Sequence, residues 1–151
     1  MAIRMKTTIT GTNLGDGASH SLTKCSTRDV EFPIDEPIER GGTNTGPAPT
    51  ETAIAALIGC TNVISNKCAE KLGIDIGHLQ IEAKYDFDRR GVLLTEEVDL
   101  PFPKVVLNIV SDGAATEAEL EQVAVELAKY CPIAKVFRQA GTVIEENWSK
   151  A

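Results

Sequence analysis

Four cysteines are the residues of this sequence whose chemistry is most open to tuning. They are Cys25, Cys60, Cys68 and Cys131, and no two of them form a Cys-x-x-Cys pair. The two histidines, His20 and His78, do not stand at the spacing from cysteine that zinc sites use. The sequence therefore favours thiol chemistry and predicts neither a metal site nor a bound cofactor.

Cys131 stands directly before Pro132, and proline favours the first turn of a helix. This places Cys131 near the N-terminus of a short helix, where unpaired backbone N–H groups stabilise a thiolate and lower its pKa. Alternatively, Cys131 completes the apolar stripe of the preceding helix. The residues alone leave both interpretations open.

Cys60 ends the apolar run 53–60, inside a predicted helix. Free cysteine is often buried, so one interpretation is a small core residue. A reactive Cys60 would need a nearby cation, and arginine stays charged even when desolvated. Cys68 lies about 12 Å further along the helix axis, so an intact helix excludes a Cys60–Cys68 disulfide. Cys68 is predicted to pack in the core, and Cys25 has no neighbour that would tune its thiol.

Length and composition predict one globular domain over residues 1–151. Hydrophobic residues make up 42% and charged residues 25% of the chain, which excludes a disordered composition. The net charge of −7 disfavours nucleic acid and anionic membranes as partners. The sequence has no signal-peptide pattern and no apolar run near the ~20 residues of a membrane span. We therefore expect a cytoplasmic protein with reduced thiols.

The first half of the chain is predicted to contain strands followed by a long helix. Strands are expected at 6–12, 19–25 and 29–34. The first two would meet at a turn over Gly15-Asp16-Gly17, and the loop 41–49 is rich in glycine and proline. A helix is predicted from Thr50, its cap, to Leu72, with Gly73 as its stop. Its first two turns are apolar on every face, which predicts a buried helix.

The second half is predicted to contain two strands, two helices and a last strand. The expected ranges are 79–87 and 104–111 for the strands, a first helix from 116, a short helix at 133–139 and a strand at 142–148. Thr116 and Glu119 match a capping box, and Pro132 separates the two helices. This order predicts an α+β fold and not a doubly wound parallel sheet.

Two segments of the chain resemble the OsmC/Ohr family. Gly41-Gly42-Thr-Asn-Thr-Gly-Pro-Ala-Pro-Thr-Glu51, running into Ala55-Ala56-Leu57-Ile58-Gly59-Cys60-Thr61, is similar to the start of that family's central helix. Tyr130-Cys131-Pro132-Ile133-Ala134-Lys135 is similar to its second cysteine segment. Because the order of elements also matches, the resemblance covers essentially the whole chain.

The resemblance implies an intertwined homodimer with active sites at the dimer interface, and a thiol peroxidase that reduces organic hydroperoxides. By position, Cys60 is the peroxidatic cysteine and Cys131 the resolving cysteine. Cys60 would reduce an alkyl or lipid hydroperoxide and become a sulfenic acid, which Cys131 would convert to a disulfide. An external dithiol, for example of the lipoyl type, would reopen that disulfide.

The resemblance also implies an arginine that supports the peroxidatic thiol. Arg40 is the candidate, Arg28 is the second choice, and Glu51 is the candidate acid that holds the arginine in place. In the best-characterised branches the glutamate directly follows the proline, whereas this chain has Pro49-Thr50-Glu51. Glu51 would therefore lie about 100° further round the helix, and a helix-capping role stays open. These differences fit a less-studied OsmC-like branch.

Two other functions fit the same residues. A non-enzymatic OsmC-like protein would bind a small ligand in the apolar surroundings of Cys60 and keep inert thiols. A redox-sensing protein would use the Cys60–Cys131 pair as a switch and offer its acidic face to a partner.

Overall fold

The computed structural model describes residues 1–15 and 19–151 of the chain. In these residues, blocks of strands alternate with blocks of helices. In order they are β1 (Thr10–Asn13), β2 (Thr23–Thr27), β3 (Val30–Ile34), a 3-10 turn (Ile38–Arg40), α1 (Pro49–Leu72), β4 (Leu79–Tyr85), β5 (Lys104–Ser111), α2 (Glu117–Tyr130), α3 (Pro132–Ala140) and β6 (Val143–Lys150). The α+β prediction is confirmed. The chain divides into two compact units, residues 1–54 and 55–151, and α1 contributes to both. No helix among the described residues is both long and apolar enough to cross a membrane.

The first unit contains an antiparallel sheet with the strand order β1-β2-β3. The predicted third strand is present, with a start one residue later. β1 starts at Thr10 rather than at residue 6, and β2 spans Thr23–Thr27 rather than 19–25. The tight turn at Arg28-Asp29 sets the end of β2, two residues later than predicted. Of the predicted turn between β1 and β2, Asp16 and Gly17 lie outside the described residues.

The second unit contains a sheet with the strand order β4-β5-β6. β5 is antiparallel to β4 and parallel to β6, and α2 and α3 connect the two parallel strands. β5 occupies its predicted range, and alternate side chains on it are buried. One core cluster consists of buried side chains from α1, α2 and the loops beside them: Cys68, Ala69, Ile76, Ala115, Leu120 and Val123.

α1 begins one residue earlier than predicted, at Pro49. Thr50 therefore lies inside the helix and is not its cap, because proline is well suited to the first helical position. The Glu51 carboxylate accepts the backbone N–H of Ala48 at 2.8 Å and satisfies one of the free donors at this end. The helix ends as predicted before Gly73, whose φ of 69° forms a left-handed cap.

α1 is buried on one face of the single chain, and not on every face as its apolar first turns predicted. Ile54 and Leu57 are buried, whereas Ala55 and Gly59 are exposed and Val63 is 51% exposed. Alanine and glycine have little apolar surface, so their exposure costs little free energy. We call Ala55, Gly59 and Val63 the uncovered strip of α1.

α2 and α3 meet at Cys131. The capping box predicted at the start of α2 is present, because Thr116 Oγ1 accepts the N–H of Glu119 and Glu119 Oε2 accepts the N–H of Thr116. Pro132 is the first residue of α3, which is one residue longer at each end than predicted. Cys131 therefore closes one helix and opens the next.

The segment between β4 and β5 has no strand of its own in the described structure, and β4 ends at Tyr85, two residues before its predicted end. Arg90 organises this segment, because its guanidinium forms ion pairs with Asp88 and Glu96. The Arg90 hydrogen bonds lower the pKa of Asp88 to about 2.

Candidate redox site

Helix α1 and the junction between α2 and α3 bring Cys60 and Cys131 together in the second unit. The junction is held by its backbone: the N–H of Cys131 donates to Leu127 O, and the carbonyl of Cys131 accepts from the N–H of Lys135. Cys131 lies at the start of α3 and is also fully buried, so it has the position that each of the two interpretations required. The two cysteines are 71 residues apart, so only the tertiary fold can pair them.

The sulfur atoms of the pair are in contact. Cys131 Sγ donates a hydrogen bond to Cys60 Sγ at 3.1 Å, and both thiols are free. A disulfide bond is about 2.05 Å long, so its formation requires the sulfurs to approach by about 1 Å. Cys131 has no exposed surface while Cys60 is partly exposed, so a reagent from solvent meets Cys60 first.

Burial dominates the ionisation of Cys131. Loss of hydration raises the pKa of this thiol to about 11, the N–H groups of Ala134 and Ile133 oppose the rise, and the contact with Cys60 adds to it. One of the two interpretations that the sequence left open implied a lowered pKa at the start of α3. That expectation is wrong in its net direction because burial outweighs the two backbone N–H groups. Cys131 is therefore a protonated thiol at neutral pH.

The other two cysteines lie outside this pair. Cys68 is 4% exposed within the core, as predicted, and burial raises the pKa of its thiol. Cys25 is half-buried on β2 in the first unit. No three His, Cys, Asp or Glu side chains in the described parts of the chain are grouped so as to hold a metal ion.

Arg40 is held by an acid that the sequence did not single out. Arg40 Nε donates to Glu36 Oε2 at 2.6 Å, which raises the pKa of the guanidinium, with a smaller contribution from Glu51. The spacing of four residues between Glu36 and Arg40 is a known ion-pair spacing and could have indicated this contact. The Glu51 contact to Ala48 is that of a helix cap, and Arg28 is exposed in the turn between β2 and β3. These residues all belong to the first unit.

Asp35 is a buried carboxylate that fixes the loop after Arg40, and the sequence analysis missed it. Its Oδ2 accepts hydrogen bonds from the N–H and hydroxyl of Thr43 and from the N–H of Thr45, and its Oδ1 accepts the hydroxyl of Ser21. These bonds, the hydroxyl of Thr43 first, hold the pKa of Asp35 far below its usual range although burial opposes them. Asp35 has no exposed surface, so it anchors the loop from inside.

The α+β fold thus brings two free thiols, 71 residues apart in the sequence, into contact. The sequence model of the family described as OsmC-like protein matches residues 42–147, a range that includes both Cys60 and Cys131. The chain therefore belongs to the OsmC family.

Solved structures with the same fold cover almost the whole chain. An OsmC-like protein from Mycoplasma pneumoniae aligns with a TM-score of 0.81 at 17% identity over 99% of each chain. An organic hydroperoxide resistance protein from Elizabethkingia anophelis aligns with a TM-score of 0.66 at 19% identity, over 100% of this chain and 99% of its own. The organic hydroperoxide resistance protein OsmC from Legionella pneumophila aligns with a TM-score of 0.64 at 14% identity over 99% of each chain. No protein with a curated description matches the sequence.

Proposed function

We propose that this protein is a thiol peroxidase that reduces organic hydroperoxides to alcohols. The observation that carries the proposal is the 3.1 Å contact between Cys60 Sγ and Cys131 Sγ. Membership of the OsmC family and the names of the Elizabethkingia and Legionella proteins support it. The physiological role would be protection against oxidative stress.

Cys60 carries out the first step and Cys131 the second. The Cys60 thiolate attacks the terminal oxygen of the hydroperoxide and breaks the O–O bond, which leaves a sulfenic acid on Cys60 and releases the alcohol. Cys131 then attacks the Cys60 sulfur, and an S–S bond forms while the hydroxyl group leaves as water. Because the two sulfurs already touch, this step has the advantage of an intramolecular reaction. An external dithiol, for example of the lipoyl type, returns both cysteines to thiols by exchange.

The residues around Cys60 favour an apolar peroxide. Ala56 and Ile64 lie about one helical turn before and after it on α1, where Ala56 is exposed and Ile64 is half-buried. An alkyl or lipid group gains about 25 cal/mol for each Å² that it removes from water, and hydrogen peroxide has no such group. We therefore expect organic hydroperoxides to react faster than hydrogen peroxide.

Arg40 is the proposed cation that supports the Cys60 thiolate, with Arg28 as the second choice and Glu51 as the proposed acid of the site. The contact of Arg40 with Glu36 occupies Nε, and a guanidinium has five N–H donors in all. Arginine also keeps its charge when it is desolvated, which lysine does not reliably do. Glu36 joins Glu51 as a candidate for holding this arginine in place.

The proposed active unit is an intertwined homodimer in the cytoplasm. The uncovered strip of α1 offers a second chain an apolar face on which helices can approach closely, because two of its three residues are alanine and glycine. A cycle that depends on an external dithiol also requires a compartment in which thiols are kept reduced.

The test is peroxide consumption by purified protein with dihydrolipoamide as the dithiol. Cumene hydroperoxide should be consumed much faster than hydrogen peroxide. Cys60→Ser should abolish turnover, Cys131→Ser should leave a sulfenic acid on Cys60 that dimedone traps, and the control Cys25→Ser should react like the wild type. Unimpaired turnover in Cys60→Ser would overturn the proposal. Wild-type thiols that alkylate slowly and give no turnover would favour ligand binding, and a disulfide without turnover would favour redox sensing.

A further inference from the structure

The two sulfurs of the redox pair differ in their access to solvent. Cys60 is partly exposed, and Ala56, one turn before it on the same face of α1, is exposed as well. Cys131 has no exposed surface. The side of Cys60 that faces Cys131 is covered by that residue, since Cys131 Sγ lies 3.1 Å from Cys60 Sγ. The surface that Cys60 exposes therefore lies on the sides turned away from Cys131.

This difference decides which sulfur of a Cys60–Cys131 disulfide an external thiolate can attack. In thiol–disulfide exchange the incoming sulfur approaches one sulfur of the bond from the side opposite the other, which leaves as a thiolate. An attack on Cys131 Sγ would have to come through the protein interior, because that side chain has no surface. An attack on Cys60 Sγ comes from the side that Cys131 does not cover, where Cys60 has its surface.

Oxidation of the pair preserves the difference in access. Cys131 is held in place by its backbone, whose N–H donates to Leu127 O at 3.0 Å and whose carbonyl accepts the N–H of Lys135 at 3.1 Å. The sulfurs need to approach by only about 1 Å to form the bond. A movement of this size between two sulfurs already in contact does not carry Cys131 to the surface.

The chemistry of the leaving group acts against an attack on Cys60 but does not reverse the direction. A thiol with a high pKa is a slow leaving group, and burial raises the pKa of Cys131 to about 11. The N–H groups of Ile133 and Ala134 act on the same sulfur and stabilise its thiolate. A slow leaving group lowers the rate of an attack, whereas a sulfur without an approach path is not attacked at all. Access therefore decides the direction.

We propose that the external dithiol always attacks Cys60 Sγ and that the enclosed Cys131 is the leaving group. One thiolate sulfur of the dithiol bonds to Cys60 Sγ, the disulfide breaks, and its electron pair leaves with Cys131, which takes the proton of the second dithiol thiol. That second sulfur then attacks the first, closes a cyclic disulfide and releases Cys60 as a thiolate. Both cysteines are then reduced and the dithiol is oxidised. Cys60 thus meets the peroxide and the reductant through the same exposed surface, and Cys131 meets neither.

The inference rests on the disulfide of the proposed function, and sulfite reports the direction in which that disulfide is cleaved. Sulfite adds to the attacked sulfur as an S-sulfonate and releases the other sulfur as a thiol. The wild type is oxidised with diamide, which makes the disulfide without a peroxide, treated briefly with sulfite, quenched in acid and mapped by mass spectrometry. The S-sulfonate should lie on Cys60 in about tenfold excess or more over Cys131, because access limits the exchange. The same protein in concentrated urea is the control, and there both sulfurs should be labelled to a comparable extent.

Three results would overturn the inference and leave the peroxidase function untouched. They are an S-sulfonate mainly on Cys131, comparable labelling of both sulfurs in the native protein, and a native disulfide that resists sulfite. An S-sulfonate on Cys60 in a protein that does not consume cumene hydroperoxide would refute the peroxidase function while the inference holds. If diamide gives no Cys60–Cys131 disulfide, both are refuted.

Discussion

At the scale of single residues, the ionisation of Cys131 is decided by a competition. Its place at the start of α3 favours the thiolate through two backbone N–H groups, and its complete burial favours the thiol. Burial prevails, so the pKa rises to about 11. The sequence identified the helix start correctly from Pro132, but the depth of the residue depends on packing between elements far apart in the chain. Sequence reasoning could therefore locate the thiol pair but not the protonation state of its buried member.

The raised pKa of Cys131 predicts a stability change at alkaline pH. The folded state holds the thiol proton up to about pH 11, whereas the unfolded chain loses it near the ordinary pKa of 9.0. The contribution of Cys131 to stability is therefore fully present below pH 9 and is lost as the pH rises to about 11. The urea midpoint of the reduced wild type should fall more steeply over this interval than that of Cys131→Ser, which has no ionisable group there. If the urea midpoints of the two proteins fell in parallel over this pH interval, the raised pKa of Cys131 would be contradicted.

At the scale of elements, the sequence correctly predicted the features that depend on residues close together in the chain. The capping box at Thr116, the stop at Gly73 and the range of β5 were all read correctly, because each depends on neighbours in the sequence. The parallel pairing of β5 with β6 was not predicted, since it depends on the path of α2 and α3. The anchoring of the loop after Arg40 was also missed, because the buried charge of Asp35 has no repeating pattern in the sequence.

The anchored loop gives a prediction at the same scale. Asp35→Asn should lower the urea midpoint at pH 7, because an amide nitrogen would replace a carboxylate oxygen that accepts hydrogen bonds. The pKa of Asp35 is lowered from 3.8, so the stability it contributes is present above pH 4 and is lost as the pH falls further. The difference in urea midpoint between the wild type and Asp35→Asn should therefore become smaller in acid. Asp29→Asn in the exposed turn is the control. A difference in urea midpoint between the wild type and Asp35→Asn that stays constant with pH would argue against a buried carboxylate.

At the scale of the whole molecule, the uncovered strip of α1 is the feature that a single chain leaves unexplained. Ala55, Gly59 and Val63 lie on one face at intervals of four residues, and all three are exposed. The apolar sequence predicted burial of the first two turns of this helix on every face, and one chain provides it on one side only. The proposed homodimer would cover the remaining side.

This interpretation predicts that a charge on the uncovered strip weakens the dimer. Val63→Lys should shift the sedimenting species from dimer towards monomer. The reason is that an unpaired ammonium buried at an interface costs about 2–5 kcal/mol. Val125→Lys is the matched control, since Val125 is exposed to a similar degree, 56% against 51%, on α2. Sedimentation velocity distinguishes the species. Equal behaviour of the two variants would place the interface elsewhere.

The most direct measurement of the central claim is the fate of the four thiols after one equivalent of cumene hydroperoxide, without any dithiol. Peptide mapping by mass spectrometry under non-reducing conditions identifies every disulfide, and the alcohol is quantified in the same sample. We predict about one Cys60–Cys131 disulfide and one alcohol molecule per chain, because the two sulfurs are already 3.1 Å apart. Unchanged thiols, or a disulfide that uses Cys25 or Cys68 in place of this pair, would contradict the account.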